Sequence, residues 1–138
     1  MATSAKGGCM CGAVRYECTA APLFMGNCHC RDCQRAGGGA YAPAIGVPKG
    51  AVKITGDVKY YESKADSGSP AKRGFCPSCG SRLFSLPPFA PDLMVILASS
   101  LDDPSIFKAG MDIYTSSAQP WDHMDPALPK FPKMPPAG

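Results

Sequence analysis

Alternation of hydrophobic and polar residues gives the clearest structural signal in this chain. Between residues 13 and 19, Val14, Tyr16 and Cys18 fall on one face and polar or charged residues on the other, the period of a half-buried β-strand. Only residues 31–36 have helical character. Further segments read as strands, most of them separated by Gly, Pro, Asn or Asp: 23–30, 40–47, 51–54, 58–62, 71–75, 82–86, 93–98 and 111–115. The pattern predicts an all-β fold of small stacked antiparallel sheets.

The composition supports this fold class. The chain has 138 residues, of which 15 are Gly and 15 are Pro, with 45% hydrophobic and 18% charged residues. So many turn-forming residues argue against a helical bundle, whereas the hydrophobic content is enough for a buried core. The length suits one domain, so residues 1–138 are predicted to form a single domain.

The C-terminal segment, residues 120–138, differs in composition from the rest of the chain. Its repeated prolines exclude regular structure. It also contains Trp121, Leu128, Phe131 and Met134, which provide apolar contacts. We therefore predict an irregular strap that lies over the core, with a frayed C-terminus.

No segment predicts export or insertion into a membrane. Residues 1–8 are small and polar, and the longest apolar run, 93–98, is too short to span a bilayer. A cytoplasmic location is expected, where thiols stay reduced and eight cysteines indicate metal binding; a disulfide framework is the alternative for an exported protein. The net charge is only +3 and the basic residues are scattered, so no nucleic-acid or membrane partner is expected.

Two pairs of cysteines have the spacing of a closed zinc site. Residues two apart on a strand point to the same side, so Cys9 and Cys11 are expected to present both sulfurs to one metal. Cys76 and Cys79 form a Cys-x-x-Cys knuckle, in which Gly80 tolerates the positive φ of the turn exit. These four residues are the predicted ligands of a structural, tetrahedral zinc. The alternative is a set of ordinary core thiols, which is the role predicted for Cys18 beside Val14.

The remaining cluster, Cys28, Cys30 and Cys33, supplies three ligands and leaves a fourth position open. Two zinc ions per chain are therefore expected. Three thiolates outweigh the charge of Zn²⁺, which makes the metal a weak Lewis acid and a poor source of hydroxide. Soft ligands favour a sulfur in the fourth position. These three cysteines are thus the predicted reactive residues, for thiol activation or cleavage of a carbon–sulfur bond.

Three motifs resemble those of the glutathione-dependent formaldehyde-activating enzyme (GFA) family. They are Gly-Cys-Met-Cys-Gly-Ala-Val-Arg-Tyr at 8–16, Cys-His-Cys-Arg-Asp-Cys-Gln-Arg at 28–35 and Phe-Cys-Pro-Ser-Cys-Gly-Ser at 75–81. Leu-Asp-Asp-Pro at 101–104 also fits, although Met111-Asp112-Ile113 stands where the family often has His-Ile. The resemblance implies sheets around a structural zinc and a second zinc on Cys28, Cys30 and Cys33. It also implies a carbon–sulfur lyase that joins formaldehyde and glutathione reversibly into S-hydroxymethylglutathione.

The other residues near the open cluster are assigned lesser roles. Arg31 and Arg35 are candidates for binding the carboxylates of a glutathione-like substrate, with solvated charges as the alternative. His29 is expected to point away from the metal and to make a structural hydrogen bond. The expected partner is a small-molecule thiol, and the oligomeric state is not predicted. Two other functions remain open at this point: a zinc-stabilised binding module without catalysis, and a thiol-rich redox or metal-responsive protein.

Overall fold

Ten β-strands and one α-helix make up the regular structure of residues 5–135, the part of the chain that this computed structural model describes. The strands are β1 (Ala5–Gly8), β2 (Arg15–Cys18), β3 (Phe24–Cys28), β4 (Ala42–Pro48), β5 (Val52–Thr55), β6 (Lys59–Lys64), β7 (Pro70–Phe75), β8 (Arg82–Leu86), β9 (Leu93–Leu97) and β10 (Asp112–Ile113). The helix is α1 (Arg31–Gly37), and short 3-10 turns lie at Lys49–Ala51, Ala98–Ser100, Pro104–Ile106 and Thr115–Ser117. No helix among these residues has the length and apolar character needed to cross a membrane.

The strands form two sheets. A three-stranded sheet has the order β1-β2-β5, and a seven-stranded sheet has the order β10-β3-β4-β9-β8-β7-β6. All pairs are antiparallel except the short pair of β10 with β3. The predicted all-β fold of stacked antiparallel sheets is therefore confirmed, with one parallel pair and with β1 as an additional strand that the hydrophobic pattern did not indicate.

The main core lies between the two sheets. Val14, Tyr16 and Cys18 are buried in alternation with exposed neighbours, as the pattern of β2 predicts. From the larger sheet, Phe84 and Ile96 are fully buried against them, and the rings of Tyr16 and Phe84 meet edge to face at 5.2 Å. Each such side chain contributes about 1.5–3 kcal/mol through burial. Cys18 is thus a core residue.

The opposite face of the seven-stranded sheet carries a smaller cluster. Directly paired residues share a face, and the pairs Cys28–Ala42, Ala44–Leu97, Ser85–Val95 and Arg73–Ser85 follow one another across the sheet. Cys33 of α1 packs on this face with Ala42 and Leu97. The register therefore separates the cysteines of the middle cluster from the main core.

The predicted C-terminal strap is irregular over the residues described. It follows β10, where Asp112 N donates to Pro129 O and Phe131 N donates to Asp112 O, both at 2.9 Å. Leu128 and Phe131 are half-buried, whereas Trp121 and Met134 are 60% and 42% exposed. Backbone hydrogen bonds to β10 therefore hold the strap, and its placement over the core stays a prediction. Residues 136–138, where fraying was predicted, lie outside the described residues.

Candidate metal centres

Cys9, Cys11, Cys76 and Cys79 come together at one end of the two sheets. Their sulfur atoms all lie within 4.8 Å of one another. The Sγ atoms of Cys9 and Cys11 are 3.6 Å apart, and those of Cys11 and Cys76 are 3.7 Å apart. A tetrahedral zinc with Zn–S bonds of about 2.3 Å places its sulfurs about 3.8 Å apart. The donor set and its spacing therefore fit zinc.

Both pairs are held by hydrogen-bonded turns, one closed between residues three apart and the other between residues four apart. In the first, Gly12 N donates to Cys9 O at 3.2 Å, and in the second, Gly80 N donates to Cys76 O at 2.8 Å. Each turn ends on a glycine with positive φ, 82° at Gly12 and 78° at Gly80, a conformation that side chains disfavour. The expectation that Cys9 and Cys11 lie on a strand is wrong, because β1 ends at Gly8 and the two sulfurs converge through a turn.

Backbone and hydroxyl donors prepare this site for negative charge. Burial alone would raise the pKa of Cys9. Hydrogen bonds from the N–H of Val14, 3.2 Å from the Cys9 sulfur, and from neighbouring thiols outweigh burial, so the pKa of Cys9 is lowered. The hydroxyl and N–H of Ser81 lower the pKa of Cys79 to about 5. The N–H of Ala13 lowers the pKa of Cys11, yet the charge held by its neighbours raises it to about 11. An uncharged group of four thiols is thus unfavourable, as expected of a metal-ligand set.

Cys28, Cys30 and Cys33 also converge, with all three sulfurs within 4.8 Å of one another. Cys28 ends β3, Cys30 caps the N-terminus of α1, and Cys33 lies in the first turn of that helix. The Cys30 sulfur accepts a hydrogen bond from Cys33 N at 3.2 Å. Cys28 and Cys30 are half-buried and Cys33 is buried. The sequence-predicted groups of four and three are therefore both assembled, and the assignment of zinc to them stays a prediction.

One negative charge is favoured within this cluster. Hydrogen bonds from Cys28 and Cys33 lower the pKa of Cys30, helped by the Cys33 N–H and by the positive charge of Arg73. The same interaction with Cys30 raises the pKa of Cys28. Hydrogen bonds therefore share the negative charge of a Cys30 thiolate among the three sulfurs. A cluster of sulfurs with negative charge suits a soft metal ion.

His29 points away from the sulfurs, as expected for a residue between two ligands. Its ring is fully buried, with Nδ1 2.5 Å from Asp122 Oδ2 and Nε2 2.8 Å from Asp112 Oδ1. Lys130 lies 3.3 Å from the second oxygen of Asp112. The strap thus supplies Asp122 and Lys130 to a hydrogen-bonded network around the buried His29, and this network fixes the segment between Cys28 and Cys30.

The two arginines predicted to bind substrate line neither of the cavities beside the cluster. Arg31 and Arg35 are exposed on α1, and Arg31 donates to Gln34 of the same helix. Their role stays a prediction that no contact in the structure supports. Two different arginines, Arg73 and Arg82, lie beside the cluster instead.

Arg73 and Arg82 border two cavities on the sheet face that carries the cluster. Arg82 and Cys33 line a cavity of about 70 Å³, and Arg82 and Arg73 line one of about 380 Å³. Burial lowers the pKa of Arg82 to about 10, and Arg73 contributes to that shift. Sequence reasoning missed both residues because they are far along the chain from Cys28, Cys30 and Cys33, although each is three residues from a cysteine of the other group. Arginines inside predicted strands were the available signal, but only the strand register shows which face they occupy.

Comparisons with known proteins agree with this arrangement. A family model described as glutathione-dependent formaldehyde-activating enzyme matches residues 4–117. A curated protein of Halomonas elongata, named "putative glutathione-dependent formaldehyde-activating enzyme", is 33% identical over 102 residues, or 70% of this chain. The match spans 65% of that relative's own length.

A solved structure is similar in fold. The crystal structure of a Rhodobacter sphaeroides protein has a TM-score of 0.59 and 24% sequence identity, and the match covers 75% of this chain and 96% of that one. At this identity the likeness concerns the fold alone.

Proposed function

Because the chain belongs to the glutathione-dependent formaldehyde-activating enzyme family, we propose that it is a zinc-dependent carbon–sulfur lyase that acts on a glutathione adduct of the S-hydroxymethylglutathione type. The observation that carries the proposal is the convergence of the Cys28, Cys30 and Cys33 sulfurs beside a cavity. Three thiolates leave room for a further ligand in a tetrahedral site, and their softness favours a thiol.

The two cysteine groups would hold two zinc ions with different roles. Cys9, Cys11, Cys76 and Cys79 form a closed set of four and would hold a structural ion. Cys28, Cys30 and Cys33 would hold the second. Bound there, zinc would lower the pKa of an added thiol, from about 8.5, and keep it as the reactive thiolate.

The chemistry is a reversible addition. The thiolate sulfur of glutathione attacks the aldehyde carbon and forms the carbon–sulfur bond, the π pair of the carbonyl moves to its oxygen, and the proton from the thiol ends on that oxygen. The reverse reaction breaks the same bond and returns the proton to sulfur. The apolar wall formed by Ala42, Val95 and Leu97 keeps water from one side of the cluster.

Reduced glutathione is available in the cytoplasm, which is the location that we propose. All eight cysteines, each within the described part of the chain, are free thiols, in keeping with a reducing compartment. The core shared by the two sheets supports the further proposal that residues 1–138 form one domain.

The decisive experiment compares the zinc-loaded protein with its Cys30→Ser variant. Exchange between formaldehyde and S-hydroxymethylglutathione is followed by NMR, together with zinc content. The wild-type protein is expected to accelerate exchange, and Cys30→Ser is expected to lose one zinc and return exchange to the uncatalysed rate. Cys18→Ala is the matched control, since Cys18 lies in the core outside both groups. Equal rates with wild type and Cys30→Ser would reject the lyase function.

A further inference from the structure

A β-bulge decides which face of the sheet Arg82 occupies. Gly74 of β7 pairs with Phe84 of β8, but the next residue, Phe75, pairs with Arg82, because the register shifts between Gly74 and Phe75. In an uninterrupted ladder Arg82 would share the face of Gly74 and Phe84, which is the face of the main core. The shift places it on the face of Phe75 and Arg73 instead. The two cations are thereby brought to the same side as the cysteine cluster.

Neither arginine forms an ion pair with a carboxylate among residues 5–135, although the Cys30 thiolate attracts both at longer range. Arg82 donates to Phe84 O at 2.8 Å and to Ser85 Oγ at 2.9 Å, and Arg73 donates to Ser63 Oγ at 3.1 Å. None of the ion pairs in this part of the chain includes either residue. The Nε atoms of both are buried without a hydrogen-bond partner. Half-buried cations with unused donors are costly unless an anion completes them.

The cavities define where such an anion would sit relative to a thiol. Arg82 lines both of them, so it joins the side near Cys33 to the larger volume beside Arg73 and Tyr61. The larger cavity, about 380 Å³, falls in the range of small-molecule sites. A substrate with its sulfur at the cluster would therefore extend along Arg82 toward Arg73.

We infer that Arg73 and Arg82 form a carboxylate-binding subsite that restricts the substrate to thiols bearing a carboxylate several bonds from the sulfur. The planar guanidinium group matches a carboxylate with two parallel hydrogen bonds. The position of the thiol in this inference rests on the proposed function, whereas the anion subsite itself does not. Arg31 and Arg35 line neither cavity and have no part in it.

The test uses S-methylglutathione, which keeps both carboxylates of glutathione and has no thiol. Its binding to the zinc-loaded protein is measured by calorimetric titration and compared with that of its diethyl ester. The ester is expected to bind at least about tenfold more weakly than S-methylglutathione, because esterification removes both negative charges. Arg73→Gln and Arg82→Gln are each expected to weaken binding of S-methylglutathione by about tenfold or more, without a further effect on the ester. Lys72→Gln is the matched control, since it removes one positive charge from the exposed neighbouring position on the other face of β7.

The outcomes separate this inference from the proposed lyase. The inference is overturned if both arginine variants bind S-methylglutathione as tightly as wild type does. It is also overturned if only Arg31→Gln or Arg35→Gln weakens that binding. Both results hold whatever the rate of exchange between formaldehyde and S-hydroxymethylglutathione. Arginine-dependent binding in a protein that does not catalyse exchange supports the subsite and rejects the lyase. If Arg82→Gln does not fold, because its bond to Phe84 O is structural, Arg73→Gln decides the question.

Discussion

At the scale of single residues, burial alone does not reveal what a cysteine does in this chain. Cys18 is fully buried and belongs to the main core, whereas Cys11 is exposed yet lies 3.7 Å, sulfur to sulfur, from the buried Cys76. Spacing along the sequence was enough to predict which seven cysteines converge in two groups, because Cys18 alternates with strand residues and the others come at ligand-type spacings. Arg82 was not predictable in this way, since its face depends on a bulge that no local pattern signals.

Protonation of Tyr16 is linked to folding at high pH. Burial raises the pKa of its phenol to about 12, although the hydrogen bond with Ser100 Oγ, at 2.6 Å, opposes the shift. The unfolded chain releases this proton from about pH 10, while the folded chain retains it to about pH 12. The free energy of unfolding therefore falls across that window, by about 1.4 kcal/mol per pH unit at most from this group.

Urea unfolding of wild type and Tyr16→Phe at several pH values from 7 to 11 checks this linkage. The variant is expected to lose about 1 kcal/mol at neutral pH, because one hydrogen bond is absent, and to show a shallower decline above pH 10. Tyr61→Phe, which removes a phenol that is 67% exposed, controls for the loss of a tyrosine. Parallel declines for wild type and Tyr16→Phe would contradict the assignment.

At the scale of elements, the strands with hydrophobic alternation were predictable and β1 was not. β1 consists of Ala-Lys-Gly-Gly, which offers almost no side chain to form a pattern. It forms because the small residues let its backbone pair with β2 while Tyr16 packs closely against it. β10, with two residues, is parallel to β3 because the chain returns along β3 before the strap. Such a pairing depends on tertiary structure rather than on local preference.

Gly7 is required by close packing of β1. A Cβ atom there would collide with the carbonyl oxygen of Ser100 and with the ring of Tyr16. We expect Gly7→Ala to lower the free energy of unfolding by about 1–3 kcal/mol, the usual cost of overpacking. Thermal unfolding followed by circular dichroism measures the effect. Gly50→Ala, where a Cβ would meet nothing within 4 Å, is the control, and equal melting temperatures for the two variants would show that β1 yields without cost.

At the scale of the whole molecule, the two cysteine groups join very different lengths of chain. Cys11 and Cys76 are 65 residues apart, so a metal held between them links the turn after β1 in the smaller sheet to the β7–β8 turn in the larger one. Cys28, Cys30 and Cys33 lie within a single loop and helix turn. Closing a long loop constrains the unfolded chain more than closing a short one. The four-cysteine group should therefore carry most of the stabilisation that metal gives to the fold.

Removal of metal in steps tests that division of roles. As a chelator is added to the zinc-loaded protein, the first zinc lost is expected to come from the three-cysteine cluster, whose open position admits a competing ligand, with little change in melting temperature. Loss of the second is expected to lower the melting temperature steeply, because the link between the sheets is broken. Cys28→Ser and Cys76→Ser isolate the two steps: each loses one zinc, and only Cys76→Ser is strongly destabilised. A Cys28→Ser variant as unstable as Cys76→Ser would mean that the three-cysteine cluster also holds the fold together, and that it is not the separate reactive centre proposed for it.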